Sequence, residues 1–65
     1  MVLIFTGAAA IILRVSENTA RRKLKALRAH YKLLKHQPIS IAKFCEYFAL
    51  EEDRVLEELK ERGVG

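Results

Sequence analysis

The sequence is poor in the residues that build disulfide-rich or many-stranded folds. It has one cysteine, one proline and three glycines, and it has no tryptophan. A single cysteine cannot form a disulfide within the chain, which excludes a small secreted scaffold held together by disulfides. Tight turns usually contain proline or glycine, and the chain has few of either, so we expect helices instead of a sheet of many strands. With 65 residues, the chain has room for one domain with a lean core.

The longest apolar stretch, residues 1–13, is too short and too interrupted to span a membrane. Thr6 and Gly7 break it and Arg14 ends it, whereas a spanning helix needs about 20 apolar residues. A secretory signal carries basic residues before its apolar segment, and none are present here. These features favour a cytoplasmic protein without membrane contact. The β-branched and aromatic residues at Val2–Phe5 predict an extended segment, for which a second copy of the chain is a candidate partner.

Apolar spacing and capping residues predict four helices. Thr6 is a candidate cap for a short helix over residues 8–13, and Ser16 for a helix of about 18 residues that starts at Glu17. The apolar residues along one face of this longer helix are Ala20, Leu24, Leu27, Tyr31 and Leu34. A loop is predicted over residues 35–38, because proline disfavours the helical conformation in the residue before it.

The second half of the chain repeats this organisation at an offset of 35 residues. Ser40 caps a predicted helix over residues 41–48, and a fourth helix follows a tight turn and ends at Gly63. Each half therefore consists of a short helix, a turn and a further helix. We predict a single all-α, four-helix domain made of two helix-turn-helix-like pairs, a basic pair over residues 6–34 and an acidic supporting pair over residues 39–63.

Basic and acidic residues are separated along the chain. Residues 14–35 hold eight basic residues and one acidic residue, whereas residues 40–65 hold four basic and seven acidic residues. The net charge of +4 therefore conceals a local charge of +7 followed by one of −3. A helix face this basic suits a DNA duplex, which carries one phosphate charge per about 1.7 Å of its axis. The alternative is a solvated face that pairs with the acidic half of the same or a neighbouring chain.

Residues 13–27, with the sequence LRVSENTARRKLKAL, resemble the helix-turn-helix motif of bacterial transcription factors of the GntR type and related winged regulators. The resemblance extends over Thr6–Leu27, and the matching residues are Leu13, Val15, Ser16, Thr19, Arg21, Arg22, Leu24 and Leu27. Two positions differ from the motif. Arg14 stands where the turn usually has glycine, so we expect a positive φ there, and Ala20 replaces a β-branched residue.

The resemblance implies sequence-specific binding of duplex DNA, in transcriptional regulation or in the control of a mobile element. The start of the second helix would enter the major groove, where Arg21 or Arg22 can bond guanine and Asn18 can bond adenine. Thr19, Lys25 and Arg28 suit phosphate contacts. The predicted DNA-binding residues are Ser16, Glu17, Asn18, Thr19, Arg21, Arg22, Lys25, Arg28 and Lys32. A domain of this size makes few base contacts, so we expect a homodimer or a larger protein partner.

The sequence does not indicate a metal site or a catalytic site. His30, His36 and Cys45 lack the close spacing of a structural zinc site, and Cys45 is expected to be a small buried residue. No glycine-rich phosphate loop or nucleophile motif is present, so we expect no enzymatic activity, cofactor, metal or small-molecule substrate. The competing function is a helical protein-protein interaction module, an adaptor or dimerisation domain that does not bind nucleic acid. A helical RNA-binding module is a third alternative.

Overall fold

Over the residues that the structure describes, the chain folds into four helices and a pair of very short strands. The computed structural model describes residues 2–63. Its elements in chain order are β1 (Leu3–Ile4), α1 (Thr6–Leu13), α2 (Glu17–His30), β2 (Ile39–Ser40), α3 (Ile41–Phe48) and α4 (Glu52–Glu61). The prediction of a small, mostly α-helical domain is therefore confirmed. Within the described residues, no helix combines the length and the apolar character needed to cross a bilayer.

The two strands join the halves of the chain. β1 and β2 are antiparallel, and their register pairs Leu3 with Ser40 and Ile4 with Ile39. Ile4 and Ile39 are both buried, so the strand pair contributes to the core. The extended conformation predicted within Val2–Phe5 is confirmed at Leu3 and Ile4. The expectation that a second copy supplies its pairing partner is wrong, because β2 of the same chain does so.

Side-chain caps fix the start of two helices. The Ser16 Oγ accepts a hydrogen bond from the Thr19 N–H at 3.2 Å, and the Ser40 Oγ accepts one from the Lys43 N–H at 3.3 Å. Both predicted caps are confirmed, since each hydroxyl satisfies a backbone donor that the first helical turn leaves unpaired. The cap predicted at Thr6 is wrong. α1 already begins at Thr6, and the residue before it makes no side-chain cap bond.

α2 ends earlier than the apolar spacing predicts. The chain turns at Lys32, where φ is 57°, and the Leu33 N–H donates to the Arg28 carbonyl oxygen at 2.8 Å. This bond closes the helix in the pattern of a left-handed cap. The prediction that the helix continues to Leu34 is therefore wrong, and Leu34 is 75% exposed instead of lying on the core face. Lys32 accordingly lies in the turn after α2 and not on the helix.

Apolar residues from all four helices and both strands form one core. Its buried members are Ile4, Ala9, Ala10, Ala20, Leu24, Leu27, Ile39, Ile41, Phe44, Cys45, Val55 and Leu59. Ala9 and Ala20 are completely buried, and such small side chains let α1 and α2 approach closely. Burial of Ala20, Leu24 and Leu27 turns one face of α2 inward and leaves the opposite face exposed. Cys45 is buried, as predicted.

The two halves share one backbone design. α1 and α3 each have 8 residues and end in a left-handed residue, Arg14 (φ 57°, ψ 48°) and Ala49 (φ 56°, ψ 46°) respectively. The Val15 N–H donates to the Ala10 carbonyl oxygen at 3.1 Å, and Leu50 makes the equivalent bond at 2.8 Å. The positive φ predicted at Arg14 is therefore confirmed, and the same turn recurs at the sequence offset that relates the halves.

Replacing Ala49 with glycine is expected to raise the free energy of unfolding by about 0.5–1 kcal/mol. A Cβ in the left-handed region approaches the following carbonyl oxygen at a cost of about 1–2 kcal/mol, and the greater freedom of glycine in the unfolded chain offsets part of the gain. Ala26→Gly is the matched control. Ala26 is exposed in the middle of α2 with a negative φ, so the same change there costs about 1 kcal/mol. Urea unfolding measures both variants, and a loss of stability in Ala49→Gly would contradict the assigned turn.

Candidate nucleic-acid interface

The exposed face of α2 carries a continuous series of polar and basic side chains. They recur at spacings of three and four residues, opposite the buried residues of the same helix. They are Asn18, Arg21, Arg22, Lys25 and Arg28. α1 supports this helix from behind, and the contact between α1 and α2 is more extensive than that between any other two elements. The tight turn and close packing therefore present the start of α2 on a rigid support.

This face of α2 forms one side of an open groove, which we call the cationic groove and which has a volume of about 670 Å³. The residues that line it are Thr6, Asn18, Arg21, Arg22, Lys25, Arg28, Lys35 and His36. Thr6 comes from the start of α1, whereas Lys35 and His36 come from the loop after α2. Five of the lining residues carry a full positive charge, and no acidic residue of the described range lines the groove. This combination suits an anionic partner.

The positive charges of the cationic groove are not neutralised by the acidic half of the chain. The ion pairs found within residues 2–63 lie in or beside α4. Arg54 Nε is 3.8 Å from Glu51 Oε2, and Arg62 Nε is 3.6 Å from Glu58 Oε1. Neither pair joins α2 to the acidic half, so the described residues do not form the internal charge pairing considered as an alternative. The charges of the groove remain accessible to an external partner.

A hydrogen bond within α2 connects two of the side chains suited to reading bases. The Arg21 Nη1 donates to the Asn18 Oδ1 at 2.9 Å, and both residues are exposed. The bond uses one acceptor lone pair of the amide. Asn18 therefore keeps two donors and a second lone pair for another partner, and Arg21 keeps the other donors of its guanidinium. The contact orders both side chains at the start of α2 and leaves each of them with further hydrogen-bonding groups for a partner.

Three hydrogen bonds order the loop after α2: two within the loop and one that ties it to the helix. The Gln37 N–H donates to the Leu34 carbonyl oxygen at 3.1 Å, and the Leu34 N–H donates to the Gln37 Oε1 at 3.2 Å. The Arg28 Nε–H donates to the Gln37 carbonyl oxygen at 3.0 Å. Residues 34–37 therefore form a tight turn with Lys35 and His36 at its two central positions. Both residues line the cationic groove together with side chains of α2.

Four of the predicted DNA-binding residues do not line the cationic groove. They are Ser16, Glu17, Thr19 and Lys32. The Ser16 hydroxyl donates to the Thr19 Oγ1 at 3.1 Å, and both residues belong to the cap of α2. Glu17 lies beside α1 in a separate shallow depression, with its Oε1 3.7 Å from where a Cβ on Gly7 would stand. Lys32 lies in the turn after the helix.

Sequence reasoning missed three residues that line the groove: Thr6, Lys35 and His36. Lys35 and His36 stand in a short polar segment before Pro38, which signals a loop but not the direction in which the loop folds. Their basic character is the one available signal. Thr6 is distant from α2 in the sequence, and only the packing of α1 against α2 brings it to the groove.

A separate aromatic cluster connects the end of α2 to α3. The ring centroids of His30 and Tyr47 are 5.2 Å apart, those of Tyr31 and Tyr47 are 6.3 Å apart, and those of Tyr47 and Phe48 are 4.9 Å apart. Burial and, after it, the negative charge of Glu46 raise the pKa of the Tyr31 hydroxyl. Tyr31 and Phe48 pack against the core, as predicted, and the cluster lies outside the cationic groove.

The described residues show neither a cluster of metal ligands nor an activated thiol. Within residues 2–63, no group of three or more histidine, cysteine or acidic side chains is placed to hold a metal ion. Burial and, after it, the charge of Glu52 raise the pKa of the Cys45 thiol, which disfavours the reactive thiolate. Comparison with protein-family models, with characterised proteins and with solved structures gives no match. The geometry and charge of the cationic groove are therefore the features that indicate a function.

Proposed function

We propose that this chain binds duplex DNA, with α2 in the major groove and the surrounding cations on phosphates. The cationic groove carries the proposal: five positive side chains share one open face, and none has an ion-pair partner within residues 2–63. Since a duplex carries one phosphate charge per about 1.7 Å, such a face interacts favourably with it. The 14 residues of α2 give a length of about 21 Å, enough to cross a major groove about 12 Å wide.

In this proposal, the start of α2 reads bases and the remaining cations fix its position. Arg21 and Arg22 can each make a bidentate contact to O6 and N7 of guanine, and Asn18 offers the donor and acceptor that adenine requires. Lys25 and Arg28 lie further along the helix and suit phosphates, which set the register without reading sequence. Three base-reading residues are few, so we further propose that specific binding uses a homodimer or a larger protein partner.

The second half of the chain supports the first in this proposal. α4 carries Glu52, Asp53, Glu57 and Glu61 on exposed positions, and a polyanion repels such a surface. We therefore assign to α3 and α4 the stabilisation of the fold and contacts with a protein partner. The resemblance of residues 13–27 to bacterial regulators supports a role in transcriptional regulation or in the control of a mobile element, in the bacterial cytoplasm and without catalysis.

A titration of a fluorescent random-sequence duplex at several salt concentrations tests the proposal. Each phosphate contact contributes about −0.9 to the slope of log K against log salt, so three or four contacts give a slope of about −2.7 to −3.6. Affinity then falls roughly 40- to 150-fold between about 50 and 200 mM salt. Absence of binding even at low salt would favour the protein-protein interaction module. A preference for structured RNA over the duplex would favour the RNA-binding module.

A further inference from the structure

The turn at residues 34–37 is exposed to solvent but ordered by hydrogen bonds. Three hydrogen bonds hold it, and the one donated by Arg28 ties it to the exposed face of α2. A loop that is already ordered loses little conformational entropy when a ligand binds to it. The turn can therefore bind a ligand without first having to become ordered.

Two basic residues, Lys35 and His36, occupy the tip of this turn. They line the cationic groove together with Arg21, Arg22 and Lys25, so the turn as well as α2 contributes positive charge to the groove. A helix that enters a major groove comes close to the sugar-phosphate strands that border it. A second basic wall beside the helix is therefore suited to one of these strands.

We propose that residues 34–37 form a second phosphate-binding element, which holds one strand of the duplex beside the major groove that α2 occupies. This inference deepens the DNA binding proposed above and rests on it. Lys35 supplies a charge to a phosphate, and His36 supplies a ring N–H donor to the same strand. The contact reads no base, so it adds affinity equally for all duplex sequences.

The variant Lys35→Ala tests this element, with Lys60→Ala as the matched control. Both lysines are exposed and both changes remove one positive charge, but Lys60 lies in α4, away from the groove. We expect Lys35→Ala to make the salt slope shallower by about 0.9. We also expect it to weaken binding about fivefold at low salt, equally for two duplexes of unrelated sequence. Lys60→Ala is expected to leave both quantities unchanged.

A third variant, Gln37→Ala, separates the geometry of the turn from its charge. It removes the oxygen that accepts the Leu34 N–H and keeps both basic residues of the tip. We expect weaker binding at unchanged net charge, because the turn loses one of the three hydrogen bonds that order it while the two bonds of the residue 37 backbone remain. Circular dichroism checks that each variant keeps the helix content of the parent chain.

The outcomes separate this inference from the proposed function. If the parent chain binds duplex and Lys35→Ala keeps both its salt slope and its affinity, the second element is wrong and DNA binding by α2 stands. If Lys60→Ala weakens binding as much as Lys35→Ala does, overall charge is responsible and the element is again wrong. If the parent chain binds no duplex at low salt, the proposed function fails, and the phosphate-binding turn fails with it.

Discussion

Replacing Arg21 and Arg22 together with alanine is expected to lower the affinity for duplex DNA by a factor of about 100 or more, with unchanged helix content. Each bidentate contact to guanine contributes about 1–3 kcal/mol, and both side chains line the cationic groove. Both residues are exposed on α2, and alanine has the highest helix propensity, so the fold tolerates the change. Fluorescence anisotropy with a labelled duplex and circular dichroism measure the two effects.

The matched control replaces Arg54 and Arg62 with alanine. This variant loses the same two charges, but its arginines lie in or next to α4 and pair with Glu51 and Glu58. We expect its affinity to stay close to that of the parent chain. If both double variants lose the same amount of affinity for the duplex, net charge alone drives binding. Full binding by the Arg21 and Arg22 variant would show that α2 is not the recognition helix.

Replacing Phe44 with alanine is expected to leave most of the protein unfolded at room temperature. Phe44 is completely buried, and its ring centroid lies 4.9 Å from that of Phe48. Removing a buried phenylalanine costs about 3–5 kcal/mol. A core in a chain of this size rarely supplies more than about 3–5 kcal/mol, so the loss is comparable with the total stability. Circular dichroism at increasing temperature detects the loss of helix.

Leu34→Ala serves as the control for this prediction, because it also removes a large apolar side chain. Leu34 is 75% exposed, so we expect a change within about 0.5 kcal/mol. This comparison also tests the early end of α2, since a helix continuing to Leu34 would bury that residue. If the Phe44 variant unfolds at the same temperature as the parent chain, the assigned core is wrong.

Features that depend on neighbouring residues could be predicted from the sequence. The caps at Ser16 and Ser40 are local, since each hydroxyl bonds an N–H three residues later. The turn at Arg14 could be predicted because its motif is short and its equivalent at Ala49 recurs at the same spacing. The buried face of α2 follows from helical periodicity for the same reason.

Features that depend on distant parts of the chain could not be predicted in this way. The pairing of β1 with β2 joins segments from the two halves, and each strand is too short to specify its partner. The position of the turn at residues 34–37 against α2 is fixed by the bond between Arg28 and Gln37, which no local pattern encodes. Consequently α2 and its basic residues could be predicted, whereas the opposite wall of the cationic groove could not.

The most direct test of α2 as the DNA-binding helix is an amide chemical-shift map of the isotope-labelled chain during titration with a duplex. The account predicts that the largest shifts occur at residues 16–28, with a second group at residues 34–37, and that the amides of α4 stay nearly unchanged. Shifts centred on α4 or on the aromatic cluster around Tyr47, with α2 unaffected, would contradict it.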